Sequence, residues 1–95
     1  MSFQDRYDFD MLSNESERLV IEEVDRKLNE AGEDELLADE DAVIDITALA
    51  LNMVKPMYRV NLLGRLYAKA VDEEKKEEVR EAVKKAIAKI KENPA

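Results

Sequence analysis

Three observations on this chain of 95 residues predict a mostly α-helical fold, a small bundle of about four helices with a short extended segment after Pro56, assembled as an intertwined homodimer. Apolar residues recur at helical spacing in three long stretches. Glycine and proline, which break helices, number only two each. Between residues 42 and 54 the only polar side chains are Asp45, Thr47 and Asn52, so apolar groups cover nearly the whole circumference of one helix. Such a helix must be buried on all sides. A chain this short has little interior in which to hide it, so a second copy is expected to cover part of it.

Residues 1–13 read as an N-terminal extension, where Phe3, Tyr7 and Met11 at i, i+4 spacing predict a short helix. Residues 14–94 read as a single domain. Its first long helix spans about residues 15–31, with Val20, Val24 and Leu28 at its centre and Leu19 and Ile21 widening the stripe. Asn14 is placed to cap it, with Glu17 in capping-box position. Gly32 supplies the left-handed residue that ends it. Residues 33–41 then form an acidic connection.

The greasy helix follows over residues 40–54. Asp39, Glu40 and Asp41 sit where the positive end of the helix dipole favours negative charge. Pro56 pushes Lys55 out of the α region and stops the helix. Residues 57–60 are then extended, and for residues 62–70 the pattern leaves helix and irregular chain equally open. The last helix covers residues 73–92, with Asp72 as cap and Pro94 as stop. Its seam is Val79, Val83, Ala86, Ile87 and Ile90, and its Lys/Glu face predicts solvated i, i+4 pairs such as Glu81 with Lys85.

Charge is unevenly spread. Residues 1–52 hold 16 acids and 4 bases, residues 53–71 hold Lys55, Arg59, Arg65 and Lys69 with no acid, and residues 72–95 hold 7 of each. A net charge of −8 argues against duplex DNA, which needs a broad basic face. A small basic island suits a compact anion instead. There is no His and no Cys, which removes disulfides, thiolate metal sites, and the commonest zinc ligand and general base. No Gly-rich phosphate loop is present, and no Ser lies beside a base, so a non-enzymatic protein is expected. No stretch reaches the roughly 18 apolar residues of a membrane span, and the acidic start does not suit a signal peptide, so the expected location is cytoplasmic.

The order of motifs resembles the ComFB family, named after a late competence development protein. NESERLVIEEVDRKL is followed by DITALALN, a proline with Tyr58 two residues on, GRLYAK, and a long helix closing in KENP. The most specific piece runs from Asp45 through Ala48 to Asn52 and on to Pro56 and Tyr58; Gly64, Tyr67, Ala68 and Lys69 support it. The resemblance implies a small helical homodimer that binds cyclic di-GMP and controls motility, pilus or competence functions through an unknown downstream protein. Many relatives hold zinc on a cysteine cluster just before the greasy helix. Those positions fall at Leu37, Asp39 and Ala42 here, so the zinc is expected to be absent and no other cofactor is implied.

Eight residues are candidates for holding the ligand, each with a plainer reading. Asp45 and Asn52, two turns apart on one face, accept from a guanine edge and hold a backbone or phosphate, or else satisfy backbone groups of the neighbouring turn. Lys55, Arg59, Arg65 and Lys69 grip phosphate or guanine, or else pair with the acids of the first half, on the same subunit or across a dimer. Tyr58 and Tyr67 stack on a base, or else pack their rings in the core. On an extended segment Tyr58 and Arg59 point to opposite faces. A ligand-free dimeric adaptor that binds other proteins is the alternative function.

Overall fold

The computed structural model describes residues 1–60 and 73–92. Among these it places five α-helices and a two-stranded antiparallel sheet: α1 Phe3–Arg6, β1 Leu12–Asn14, α2 Glu15–Glu30, α3 Asp34–Leu37, α4 Glu40–Met53, β2 Tyr58–Val60 and α5 Glu73–Glu92. The mostly helical reading holds, and so does the extended segment after Pro56. The expectations for residues 62–70, the cap Asp72 and the stop Pro94 lie outside the described residues.

The three long helices pack on one another because each presents one apolar stripe. Val20, Val24 and Leu28 of α2 meet Ile46 and Ala50 of α4 and Val79, Ala82, Val83 and Ala86 of α5 in one core. Ala82, absent from the expected seam, is buried there, while Ile87 and Ile90 pack on the core from its edge. The outer face of α5 carries ion pairs, but among the described residues they are Arg80 with Glu77 and Lys76 with Glu73 rather than Glu81 with Lys85. Spacing at i, i+3 serves as well as i, i+4 on a helix surface.

Helix ends follow the local chemistry. The Asn14 side chain accepts from Ser16 N–H at 3.1 Å, as a cap should. Gly32 has φ of +64°, and the amides of Gly32 and Glu33 reach back to the carbonyls of Asn29 and Leu28. This is a Schellman closure, which calls for a residue without a Cβ. The Asp39 carboxylate accepts from Ala42 N–H at 3.2 Å and starts α4. At the other end Val54 is already extended, so α4 stops two residues before the pre-proline position.

Two expectations need correction. Phe3, Tyr7 and Met11 do not share a helix: α1 is one turn, Tyr7 is extended, and residues 9–11 form a 3-10 turn. Contacts among the rings of Phe3, Tyr7 and Phe9 take the place of the expected stripe. The acidic connection contains α3, because Leu36 and Leu37 turn inward onto the core while the acids stay out. A single chain leaves one side of α4 open, as its short length predicts. Its inner stripe Ala42, Ile46 and Ala50 is buried, but Asp45, Ala48 and Asn52 are exposed and Ile44 is 59% exposed.

Candidate functional site

The segment leaving α4 is fixed from three sides, and this is what positions the candidate residues. Ser16 is fully buried and its hydroxyl donates to the Lys55 carbonyl at 2.7 Å. Asn14 Oδ1, besides capping α2, accepts from Met57 N–H at 2.8 Å, and Glu15 N–H donates to the Met57 carbonyl. From α5, Lys75 Nζ donates to the Lys55 carbonyl and to Glu78, whose other oxygen accepts from Lys55 N–H. The Lys75 ammonium holds the Glu78 carboxyl below the usual carboxylate range, against the opposing effect of burial. These contacts carry the chain from Val54 past Pro56 into β2, which pairs with β1 in the register Leu12 to Val60, Ser13 to Arg59 and Asn14 to Tyr58.

Alternation along β2 then divides its candidates. Tyr58 is 63% exposed and lines a groove with Leu12, Ile21, Glu15, Glu17 and Glu22. That rim is acidic, and Arg18 beside it is tied to Glu15 and Glu22, so the Tyr58 face does not favour an anion. Arg59 lies on the opposite face, half-buried. Its Nε is shut off from solvent and has no hydrogen-bond partner among the described residues. Arg18, Arg26 and Arg80 are each paired with glutamates, whereas neither Lys55 nor Arg59 forms an ion pair among the described residues.

Asn52, Lys55, Tyr58 and Arg59 thus gather around the end of α4. Asp45 stands apart, about 10 Å further back along the helix. It lines an open groove between the start of α4 and the end of α5 with Glu33, Glu35, Asp39, Glu40 and Asp41, surroundings that repel phosphate. Asp45 and Asn52 are both exposed and neither side chain has a hydrogen-bond partner among the described residues, so they do not satisfy a neighbouring turn. Arg65, Tyr67 and Lys69 lie outside the described residues.

Residue-by-residue reading missed the scaffold of this exit. Ser16, Lys75 and Glu78 gave no signal, because their partner Lys55 lies 20 to 39 residues away in sequence. Asn14 was legible as a cap, but not as the acceptor for Met57. Asn14→Ala is expected to lower stability by about 1–3 kcal/mol, combining a lost cap with an unpaired amide. Asn14→Asp, which keeps the acceptor, should recover most of that in urea unfolding. Full stability in Asn14→Ala would show that the strand after Pro56 is held without this side chain.

The fold and its exit define a small helical domain with a cationic strand beside the end of its central helix. The chain belongs to the ComFB family: the family model, described as late competence development protein ComFB, matches residues 13–94. No curated protein and no solved structure matches the chain. The residues at the three positions where the resemblance implies a zinc cluster do not suit that metal. Leu37 packs against the core, Ala42 is buried, and the Asp39 carboxylate is engaged as a helix cap. Elemental analysis is expected to find no stoichiometric zinc, and a chelator should leave the melting temperature unchanged. One tightly held zinc per chain would contradict this. Among the described residues no helix is long and apolar enough to cross a membrane.

Proposed function

We propose that this ComFB-family chain is a non-enzymatic, cytoplasmic signalling module that binds a cyclic dinucleotide, with cyclic di-GMP favoured. In this reading it passes that signal to a downstream protein controlling motility, pilus or competence functions. Arg59 carries the reading. The residue is half-buried, its Nε donor has no partner among the described residues, and it belongs to the acid-free stretch of residues 53–71. A buried donor left unpaired costs about 1–3 kcal/mol, which an incoming acceptor would recover. The planar fork of arginine matches a phosphate or the edge of guanine. Lys55 adds a second exposed cation four residues away. The resemblance of the DITALALN segment and the following Pro56 and Tyr58 to the family supports the choice of ligand class. Lack of His and Cys supports the non-enzymatic reading.

A ligand-free dimeric adaptor is the second reading, favoured by the exposed apolar residues Ile44, Leu12, Tyr58 and Val60. Calorimetric titration with cyclic di-GMP and cyclic di-AMP at physiological salt separates the two. Saturable binding of cyclic di-GMP with a dissociation constant on the order of tens of micromolar or tighter is expected. Absence of heat from either nucleotide in that range leaves the adaptor.

A further inference from the structure

We propose that the groove beside Tyr58 receives a short segment of the downstream protein, one that carries apolar anchors flanked by lysine or arginine. The inference deepens the reading above and rests on its claim that the chain acts through a partner protein, but not on the nucleotide. The groove measures about 690 Å³, and its apolar wall comes from three elements: Leu12 of β1, Ile21 of α2 and Tyr58 of β2. These residues are 49%, 50% and 63% exposed, and none belongs to the core. Ile21 lies about two turns from the fully buried Leu28, on the same side of α2. The stripe that joins the core near the end of the helix thus runs on toward its start, where it stands half open to water. Isolated exposed apolar residues need no explanation, but three that converge on one concave surface mark a place where something binds.

Charge selects the occupant. Glu15, Glu17 and Glu22 line the groove against the single cation Arg18. Arg18 is shared between Glu15 and Glu22, and Glu17 has no ion pair among the described residues. Nucleic acid, a cyclic dinucleotide and an anionic membrane surface are all repelled by such a rim. A metal ion does not suit it either, because among the described residues no group of three carboxylates is gathered closely enough to hold one. A second copy docked here about a two-fold axis would set the acidic rim against its own image, which is repulsive. A basic segment of another protein meets the acids and covers Leu12, Ile21 and Tyr58 with its apolar residues, as an amphipathic peptide does in a groove. It also leaves the nucleotide's place open, since Arg59 lies on the opposite face of the same strand.

The test is a selection of random twelve-residue peptides displayed on phage, panned against the full chain without nucleotide. The peptides recovered are then measured by fluorescence anisotropy on wild type and on variants. They should combine apolar residues with lysine or arginine. Ile21→Lys should raise their dissociation constants about tenfold or more, because it removes an anchor and repels the flanking charges. Glu17→Lys, which leaves the apolar wall intact, should raise them about threefold or more. Glu81→Lys, an equal change of charge on the exposed face of α5, should leave them within about threefold. Ile21 and Glu17 are exposed on α2, so far-UV ellipticity should be the same in every variant. A selection that yields no basic apolar peptides, or peptides that bind Ile21→Lys and Glu17→Lys as they bind wild type, overturns the proposal. So does a fall in sedimentation mass on Ile21→Lys, which would give the groove to a second copy. No nucleotide is present, so these failures leave cyclic di-GMP binding standing, and a failed nucleotide titration leaves the groove standing.

Discussion

Ile46→Ala lowers the unfolding free energy by about 2–5 kcal/mol, the cost of deleting a fully buried aliphatic side chain and leaving a cavity. Ile46 has no exposure at all and sits where α4 meets both α2 and α5. Its neighbours Val20, Leu28 and Val83 are equally shut off from solvent, so the space left behind cannot be filled by a side chain swinging in from the surface. Domains of this size are stable by only about 5–15 kcal/mol, so the loss is a large fraction of the whole. Urea unfolding checks it. Ala48→Ser on the outer stripe is the comparison, and should leave the intrinsic stability of the chain within about 0.5 kcal/mol. Equal losses at both positions would mean that α4 has no inner and outer face.

Arg59→Ala weakens cyclic di-GMP binding by roughly 1.5–3 kcal/mol, the worth of a charge-assisted hydrogen bond, with helix content and oligomeric mass unchanged. Arg59→Lys should also lose affinity, because a point charge cannot reproduce a planar bidentate contact. Arg65→Ala, in the same acid-free stretch, is expected to behave like Arg59→Ala. Glu81→Ala, exposed on α5, serves as the control and should bind normally. If the arginine variants bind like wild type but melt several degrees lower, Arg59 is a packing residue and the anion site lies elsewhere.

The parts of this fold that were legible in the sequence are those specified locally. Helical periodicity located α2, α4 and α5 to within a residue or two, and Asn14 and Gly32 marked the two ends of α2 through chemistry that acts within four or five residues. What was not legible depends on partners far along the chain. Strand β1 has no signal of its own, since Leu12, Ser13 and Asn14 become a strand only by pairing with Tyr58, Arg59 and Val60. Ser16 looks like an ordinary polar residue in the first turn of a helix until the Lys55 carbonyl arrives beside it.

For the candidate site the lesson is similar. The sequence located the acid-free stretch and foresaw that Tyr58 and Arg59 would face opposite ways. It could not show that the Tyr58 face is rimmed by Glu15, Glu17 and Glu22, because those acids belong to α2. Nor could composition divide α4 into a buried stripe and an open one. A helix apolar all round reads the same whether its second face meets its own chain or another.

Amide hydrogen exchange of the full chain, with and without saturating cyclic di-GMP, tests most directly the claim that function resides at the exit of α4. Protection should rise over residues 55–60, where Lys55 and Arg59 lie, with the Tyr58 groove and the acidic groove at the start of α4 unchanged. Nucleotide that binds yet leaves residues 55–60 exchanging as in the free protein, or that protects the acidic groove instead, would contradict the account.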